Sequence, residues 1–180
     1  LRDRMKFFKK ASETEKLVKS LRDNNNIYLV PAFTGLGAPH WDANARGVLT
    51  GITRDTGPKE IVRATIEAVA YQTYDLFEAM KHDGLRPKIV KVDGGMVMNN
   101  WFSQFLSDIV NVKVLRPKVQ ETTAVGAAFM AGLHIGVYKS LKDISKIWHL
   151  DKKFSPKMKN NSRTKLLKGW SKAIKRTLIN

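Results

Sequence analysis

Apolar positions along this chain fall into short blocks whose spacing switches between about two and nearly four residues, and the switches mark out strands and helices. Ser12-Glu13-Thr14-Glu15-Lys16-Leu17-Val18-Lys19-Ser20-Leu21 predicts a short surface helix capped by Ser12, with Glu15 at the capping-box position. The run Ile27–Phe33 predicts a strand that Pro31 pushes to an edge or bulge. Thr34 to Asn44 is a loop punctuated by Gly35, Gly37 and Pro39, and Gly47–Thr53 is a second strand. Thr56-Gly57-Pro58 opens a long helix with Pro58 in its first turn and Glu60 just after. Its expected buried stripe is Val62, Thr65, Ile66, Val69 and Thr73, continuing to Leu76, Phe77 and Met80, and His82-Asp83-Gly84 ends it.

Lys88–Val92 then reads as a buried strand, and the helix after it carries Phe102, Phe105, Leu106 and Ile109 on one face. Val112–Arg116 is another strand, Pro117 to Gln120 a connection, and Thr122 to Ile135 a helix rich in small residues. Ala124, Gly126, Ala127, Ala128, Ala131 and Gly132 let that helix press closely on a sheet or another helix. Strand–helix–strand–helix with short links implies parallel strands and right-handed crossovers. With the strands before the long helix added, the expected class is α/β, a mixed sheet flanked by helices. Residues 137–180 read as a helical extension, with Leu166, Trp170, Ile174 and Leu178 as its apolar stripe.

The candidate chemistry sits in Val92-Asp93-Gly94-Gly95-Met96-Val97-Met98-Asn99-Asn100, where the strand turns into the helix. Glycine has no Cβ, so a ligand can approach the backbone. The helix start offers unpaired N–H groups and partial positive charge. Locally, a nucleotide site and a tight turn with no ligand both satisfy this pattern.

The chain has 180 residues, enough for one domain with a core and a terminal extension. With no cysteine there is no disulfide framework and no thiolate or thiolate–metal chemistry. No apolar run approaches the ~20 residues of a bilayer span, and no signal peptide is visible. These features fit a cytoplasmic setting without a membrane partner. The first residue is Leu1, so the sequence is expected to be a piece of a longer protein. The net charge of +16 is uneven: residues 151–180 hold ten Lys/Arg against the single acid Asp151. That tail reads either as a nucleic-acid or anion-binding arm or as a solvated amphipathic helix, and its apolar stripe favours packing on its own domain.

His40, His82, His134 and His149 show no metal-ligand spacing, and no residue is assigned to a metal. Neither a nucleophile elbow nor a Walker loop is present. Phosphoryl transfer needs a metal carboxylate, phosphate-cradling groups and a base. Asp93 stands near where phosphates would lie, and Asp42 and Arg46 occupy a Gly-rich loop that is a candidate to face a cleft; local hydrogen bonding within the loop is the other reading of that pair.

Pro31-Ala32-Phe33-Thr34-Gly35-Leu36-Gly37-Ala38-Pro39-His40-Trp41-Asp42 with Ala45-Arg46-Gly47 resembles the start of the carboxy-terminal lobe of the FGGY carbohydrate kinases, on the glycerol-kinase side of that family. Gly47-x-Leu49-x-Gly51-Ile52, seven residues, then Glu60-Ile61-x-x-Ala64-Thr65-Ile66-Glu67 matches the family's second signature. Ala70-Tyr71-Gln72-Thr73, Val92-Asp93-Gly94-Gly95 with Asn99-Asn100, and Thr123-Ala124-x-Gly126-Ala127-Ala128 continue the match.

The resemblance implies an actin-like, ribonuclease-H-like ATPase lobe. In domain terms, residues 1–26 would continue from a missing amino-terminal lobe. Residues 27–136 would form the nucleotide-binding lobe, and 137–180 the basic helical extension packed on it. It implies that Gly94, Gly95 and Asn99 meet the adenosine part of ATP, and that Mg2+ and glycerol are held mainly by the other lobe. The family's phosphate loop, polyol-binding pair and catalytic aspartate have no match here, so no catalytic residue is assigned to this chain. The implied reaction is phosphoryl transfer from ATP to glycerol in a cytoplasmic homo-oligomer. Another polyol or sugar kinase of the family and a stand-alone basic nucleic-acid-binding module are the alternatives. Ser155-Pro156-Lys157-Met158-Lys159-Asn160-Asn161 carries no acid, unlike the regulator-docking segment of some bacterial relatives.

Overall fold

A computed structural model describes residues 1–119 and 121–178. Gln120, the last residue of the expected Pro117–Gln120 connection, lies outside the described residues. The long helix α2 (Pro58–His82) is the axis of the structure. It starts as its sequence requires: Pro58 occupies the first turn, and the Gly57 amide donates to Glu60 Oε2 at 2.9 Å. Helix α1 (Glu13–Lys19), helix α3 (Asn100–Val110) and strand β1 (Tyr28–Val30) pack on it. β1 pairs antiparallel with β2 (Val48–Thr50), Tyr28 facing Thr50. Helix α6 (Asn160–Thr177) lies across that pair.

A second, mixed sheet has the order β3-β4-β5. β3 (Ile89–Lys91) runs parallel to β4 (Lys113–Pro117), with α3 as the crossover between them. β5 (Leu150–Phe154) lies antiparallel on the other side of β4, Phe154 opposite Val114. Helices α4 (Thr122–His134) and α5 (Leu141–Ile147) fill the connection between β4 and β5.

Tyr71 of α2 sits at the centre of the core. Its ring stacks on Trp170 of α6 at 5.2 Å between centroids, meets Phe105 of α3 edge-on at 5.6 Å, and lies 5.8 Å from Tyr28 of β1. Its hydroxyl donates to Glu67 Oε2 at 3.0 Å, and Arg63 Nε donates to Glu67 Oε1 at 2.7 Å. Arg63 also reaches the Leu21 carbonyl at 2.8 Å and stacks over Trp101. Burial pushes the Glu67 carboxyl above its ordinary value, against the pull of Arg63 and of the hydroxyl. Tyr71 is raised well above its ordinary value by burial and by the neighbouring Glu67 charge. Gly169 is required where α6 crosses β1, because a Cβ there would fall 2.1 Å from the Tyr28 hydroxyl oxygen.

Several expectations change. Ser12 is itself helical and makes no side-chain cap; the Glu13 carboxylate takes the Lys9 and Lys10 amides instead. Val62, Ile66 and Phe77 of α2 are buried as expected, but the buried face extends to Arg63, Glu67 and Tyr71 and leaves Val69, Leu76 and Met80 exposed. Charges that neutralise one another at four-residue spacing can be buried as a unit, and an apolar count misses that. β3 is not buried: Ile89 and Lys91 are exposed on an edge strand. α4 does not press on a neighbour. Only Gly132 of it is buried, beneath the Tyr138 ring, and among the described residues no element covers the rest. The stretch 137–180 is not helical throughout, since it contributes β5 to the sheet. Its last helix packs as expected, with Trp170 and Ile174 buried and Lys168, Lys172 and Lys175 outward; the buried set includes Ala173 and Thr177, while Leu178 is exposed.

Two outcomes follow for unfolding in denaturant. Trp170→Ala should cost ~3–5 kcal/mol, the range for removing a large core aromatic. Glu67→Ala should cost a similar ~3–5 kcal/mol by stranding Arg63 and the Tyr71 hydroxyl. The apolar combination Arg63→Met, Glu67→Leu and Tyr71→Phe should lose less than that single change. A combined variant less stable than Glu67→Ala would show that the pairing itself, rather than the stranded partners, dominates.

Candidate nucleotide cleft

The strand β3 ends at Lys91, and three residues on Gly94 turns the chain with φ of 83°, a conformation natural to glycine. A short 3-10 helix, Gly95–Met98, follows before α3 begins. The turn and the start of α3 therefore stand where the sequence places them, with an extra turn of 3-10 helix between. Asn99 is the N-cap of α3: its Oδ1 accepts from the Phe102 amide at 3.0 Å.

A cleft of about 720 Å³ opens beside this turn. Gly95, Met96, Met98 and Asn99 form one side. Phe8, Ala11, Ser12, Thr14 and Glu15 form the other, and Ile66 of α2 closes the floor. The lining is mainly apolar with a few polar groups, the usual make-up of a small-molecule site. A Cβ built on Gly95 would meet nothing within 4 Å, so the backbone there is open to an approaching ligand.

The two sides are tied by polar bonds. Asn99 Nδ2 donates to Thr14 Oγ1 at 3.3 Å, and the Asn100 amide donates to Glu15 Oε2 at 3.1 Å. Burial works against the Glu15 charge, but Lys19 Nζ and the Asn100 amide outweigh it and hold the carboxyl below its ordinary value. Asn99 thus lines the cleft with both polar atoms of its side chain already engaged.

The other candidates lie elsewhere. Gly94 makes the turn but does not line the cleft. Asp93 is exposed and accepts from the Thr122 hydroxyl at the start of α4. Asp42 accepts the Asn44 and Ala45 amides at 2.8 and 3.0 Å, and Arg46 donates to the Ala43 and Ala45 carbonyls at 3.0 and 2.8 Å. Those two residues build their own loop, and neither lines the cleft. No cluster of three or more His, Asp or Glu able to hold a metal occurs among the described residues. Likewise, no helix among them is long and apolar enough to cross a membrane.

Residues 3–135 match the model of the FGGY family of carbohydrate kinases, C-terminal domain. The chain belongs to that family. It is 54% identical over 176 residues to glycerol kinase 1 of Pseudomonas aeruginosa and 51% identical over 177 to a glycerol kinase of Rhodospirillum centenum, 98% of this chain in each case. It spans 36% of the length of each of those relatives. In three dimensions it resembles the Plasmodium falciparum glycerol kinase crystallised with ADP, with a TM-score of 0.85 at 36% identity over 97% of this chain and 35% of that one. A xylulose kinase from Lactobacillus acidophilus gives a TM-score of 0.75 at 25% identity over 96% of this chain and 36% of that one. The fold is therefore the actin-like α/β fold of these sugar kinases.

Sequence reasoning in this family member pointed to Gly95 and Asn99 on one side of the cleft and missed the facing side. Phe8, Ala11 and Thr14 carry no motif; the only trace was Glu15, whose carboxylate serves the Asn100 amide rather than its own helix. Because its folded-state value is depressed, Glu15 contributes stability that is full above the ordinary carboxylate value. That contribution is lost as pH falls through the depressed one. Wild type should therefore lead Glu15→Gln in unfolding free energy at neutral pH, and the lead should shrink on acidification. A lead that stays constant across the acid range would remove Glu15 from that role.

Proposed function

We propose that this chain is the carboxy-terminal lobe of an ATP:glycerol 3-phosphotransferase and supplies the wall that receives the adenosine half of the nucleotide. The observation that carries the reading is the cleft beside Gly95. It combines open backbone, apolar sides and a capped helix start, at the position the family resemblance assigns to ATP. Identity near 50% to named glycerol kinases supports glycerol over the other substrates of the family.

The residues present fit the nucleoside and not the metal. Gly95 and Asn99 border a space of nucleoside size, whereas Asp93, the nearest acid in the motif, is taken by Thr122. Mg2+, the phosphate-binding groups and glycerol belong to the amino-terminal lobe in this reading, and the bound metal there would offset phosphate charge. The present chain would bind and orient the base and ribose. By closing on its partner lobe it would exclude water from the transferring phosphoryl group. The exposed apolar sides of α4 and β3 are the surfaces the rest of such an enzyme would cover. The complete enzyme is proposed to be a cytoplasmic homo-oligomer.

In that complete enzyme Gly95→Val should raise the Michaelis constant for ATP with little change for glycerol, since the branched side chain would enter the open space of the cleft. The purified 180-residue chain should produce no glycerol 3-phosphate in a coupled assay. Activity should appear only when a separately made amino-terminal lobe is added, because one wall cannot align nucleophile, phosphates and metal. Turnover by the chain alone above a heat-killed control would overturn this reading.

A further inference from the structure

A row of cations without acidic partners lies away from the Gly95 cleft. A groove of about 740 Å³ runs between α6 and the β1–β2 hairpin. Lys165, Lys168, Lys172 and Arg176 line it from α6, and no acid lines it. None of the four takes part in an ion pair among the described residues.

Their spacing places them on one helix face. Steps of three, four and four residues keep successive side chains roughly 5–6 Å apart, and eleven residues of α-helix extend about 16 Å. The facing wall is uncharged and polar, with Asn26 and Thr50 from the hairpin side. Gly169 lets α6 sit directly on the Tyr28 ring, which closes the floor of the groove. Four like charges held side by side repel one another, and an anion in the groove relieves that repulsion while gaining charge-assisted hydrogen bonds.

We propose that this groove is a binding site for a linear oligophosphate, meaning a molecule that presents several phosphoryl groups in a row. A single phosphate would engage only part of the cation row. A single-stranded nucleic acid would need exposed aromatic faces for its bases. Tyr28, the one aromatic lining the groove, is buried with 5% exposed, and Trp170 points into the core. The groove shares no lining residue with the Gly95 cleft, so the proposal does not depend on the nucleotide reading.

The test is calorimetric titration of the 180-residue chain with inorganic tripolyphosphate, which lacks a base and ribose. Saturable one-site binding is expected, at least about tenfold tighter than orthophosphate. Lys168→Gln with Lys172→Gln should weaken it by a further factor of about ten, while the equally neutralising pair Lys59→Gln with Lys142→Gln, on other surfaces, should leave it unchanged. Near-ultraviolet dichroism of Trp170 verifies that each variant is folded. Should the Lys168/Lys172 pair unfold, Lys165→Gln with Arg176→Gln replaces it. Equal losses in both sets would reveal attraction to net charge alone and overturn the site. So would orthophosphate binding as tightly as tripolyphosphate, tighter binding of a single-stranded oligonucleotide, or no binding.

Discussion

The structure depends on one buried side chain and the charge pair that allows it to be buried. Tyr71 joins three elements: Trp170 from α6, Phe105 from α3 and Tyr28 from β1 all pack on its ring. A phenol at that depth must have a partner for its hydroxyl, because an unpaired buried donor costs about 1–3 kcal/mol. Glu67, one turn earlier, is that partner, and a carboxylate so deeply buried in turn needs Arg63 one turn earlier still. Three residues at four-residue spacing thus commit one face of α2 to the core and fix which helices can lie against it.

From that centre the positioning of the cleft follows step by step. Phe105 anchors α3 to Tyr71, so the start of α3 is held in space. Asn99 caps that start and reaches Thr14, and the Asn100 amide reaches Glu15, which docks α1 opposite Gly95. The cleft is the gap left between two elements that are tied at one end by hydrogen bonds and at the other by α2. Its geometry is set by core packing and a helix cap rather than by any residue whose evident purpose is to bind. This is why Asn99, with both polar atoms engaged, can shape a pocket without reserving its side chain for a ligand.

What was legible in the sequence was whatever depends on short-range backbone chemistry. Gly94 with its positive φ, Pro58 in the first turn of α2 with Glu60 behind it, and the four-residue step from Trp170 to Ile174 all express local rules, and each stands in the structure. What was not legible depends on partners distant in sequence. The burial of Arg63 and Glu67 needs Leu21 and Tyr71 to be in place, so an apolar count found Val62, Ile66 and Phe77 but missed the charged pair beside them. β5 reads as a charged run, Leu150-Asp151-Lys152-Lys153-Phe154. It becomes a strand because β4 offers a free edge and Arg116 meets Asp151 at 2.7 Å. The wall from Phe8 to Glu15 has no local signature, since its role is created by the cap of a helix eighty-five residues away in the Asn100–Glu15 bond.

The same distinction separates the two kinds of open surface on the molecule. α4 is apolar on nearly every side, with Met130 exposed and Ile135 exposed just past its end, and a surface of that kind marks a place of contact with another protein element. The face of α6 that borders the β1–β2 hairpin is the opposite case. Its apolar side is already consumed by Trp170, Ala173 and Ile174, and the Trp170 indole donates to Asp75 Oδ2 at 2.8 Å. What remains on the groove side is charge, carried by Lys165, Lys168, Lys172 and Arg176. On the function proposed above, the partner lobe would cover α4, whereas the row of cations on α6 is left to a dissolved solute of opposite charge.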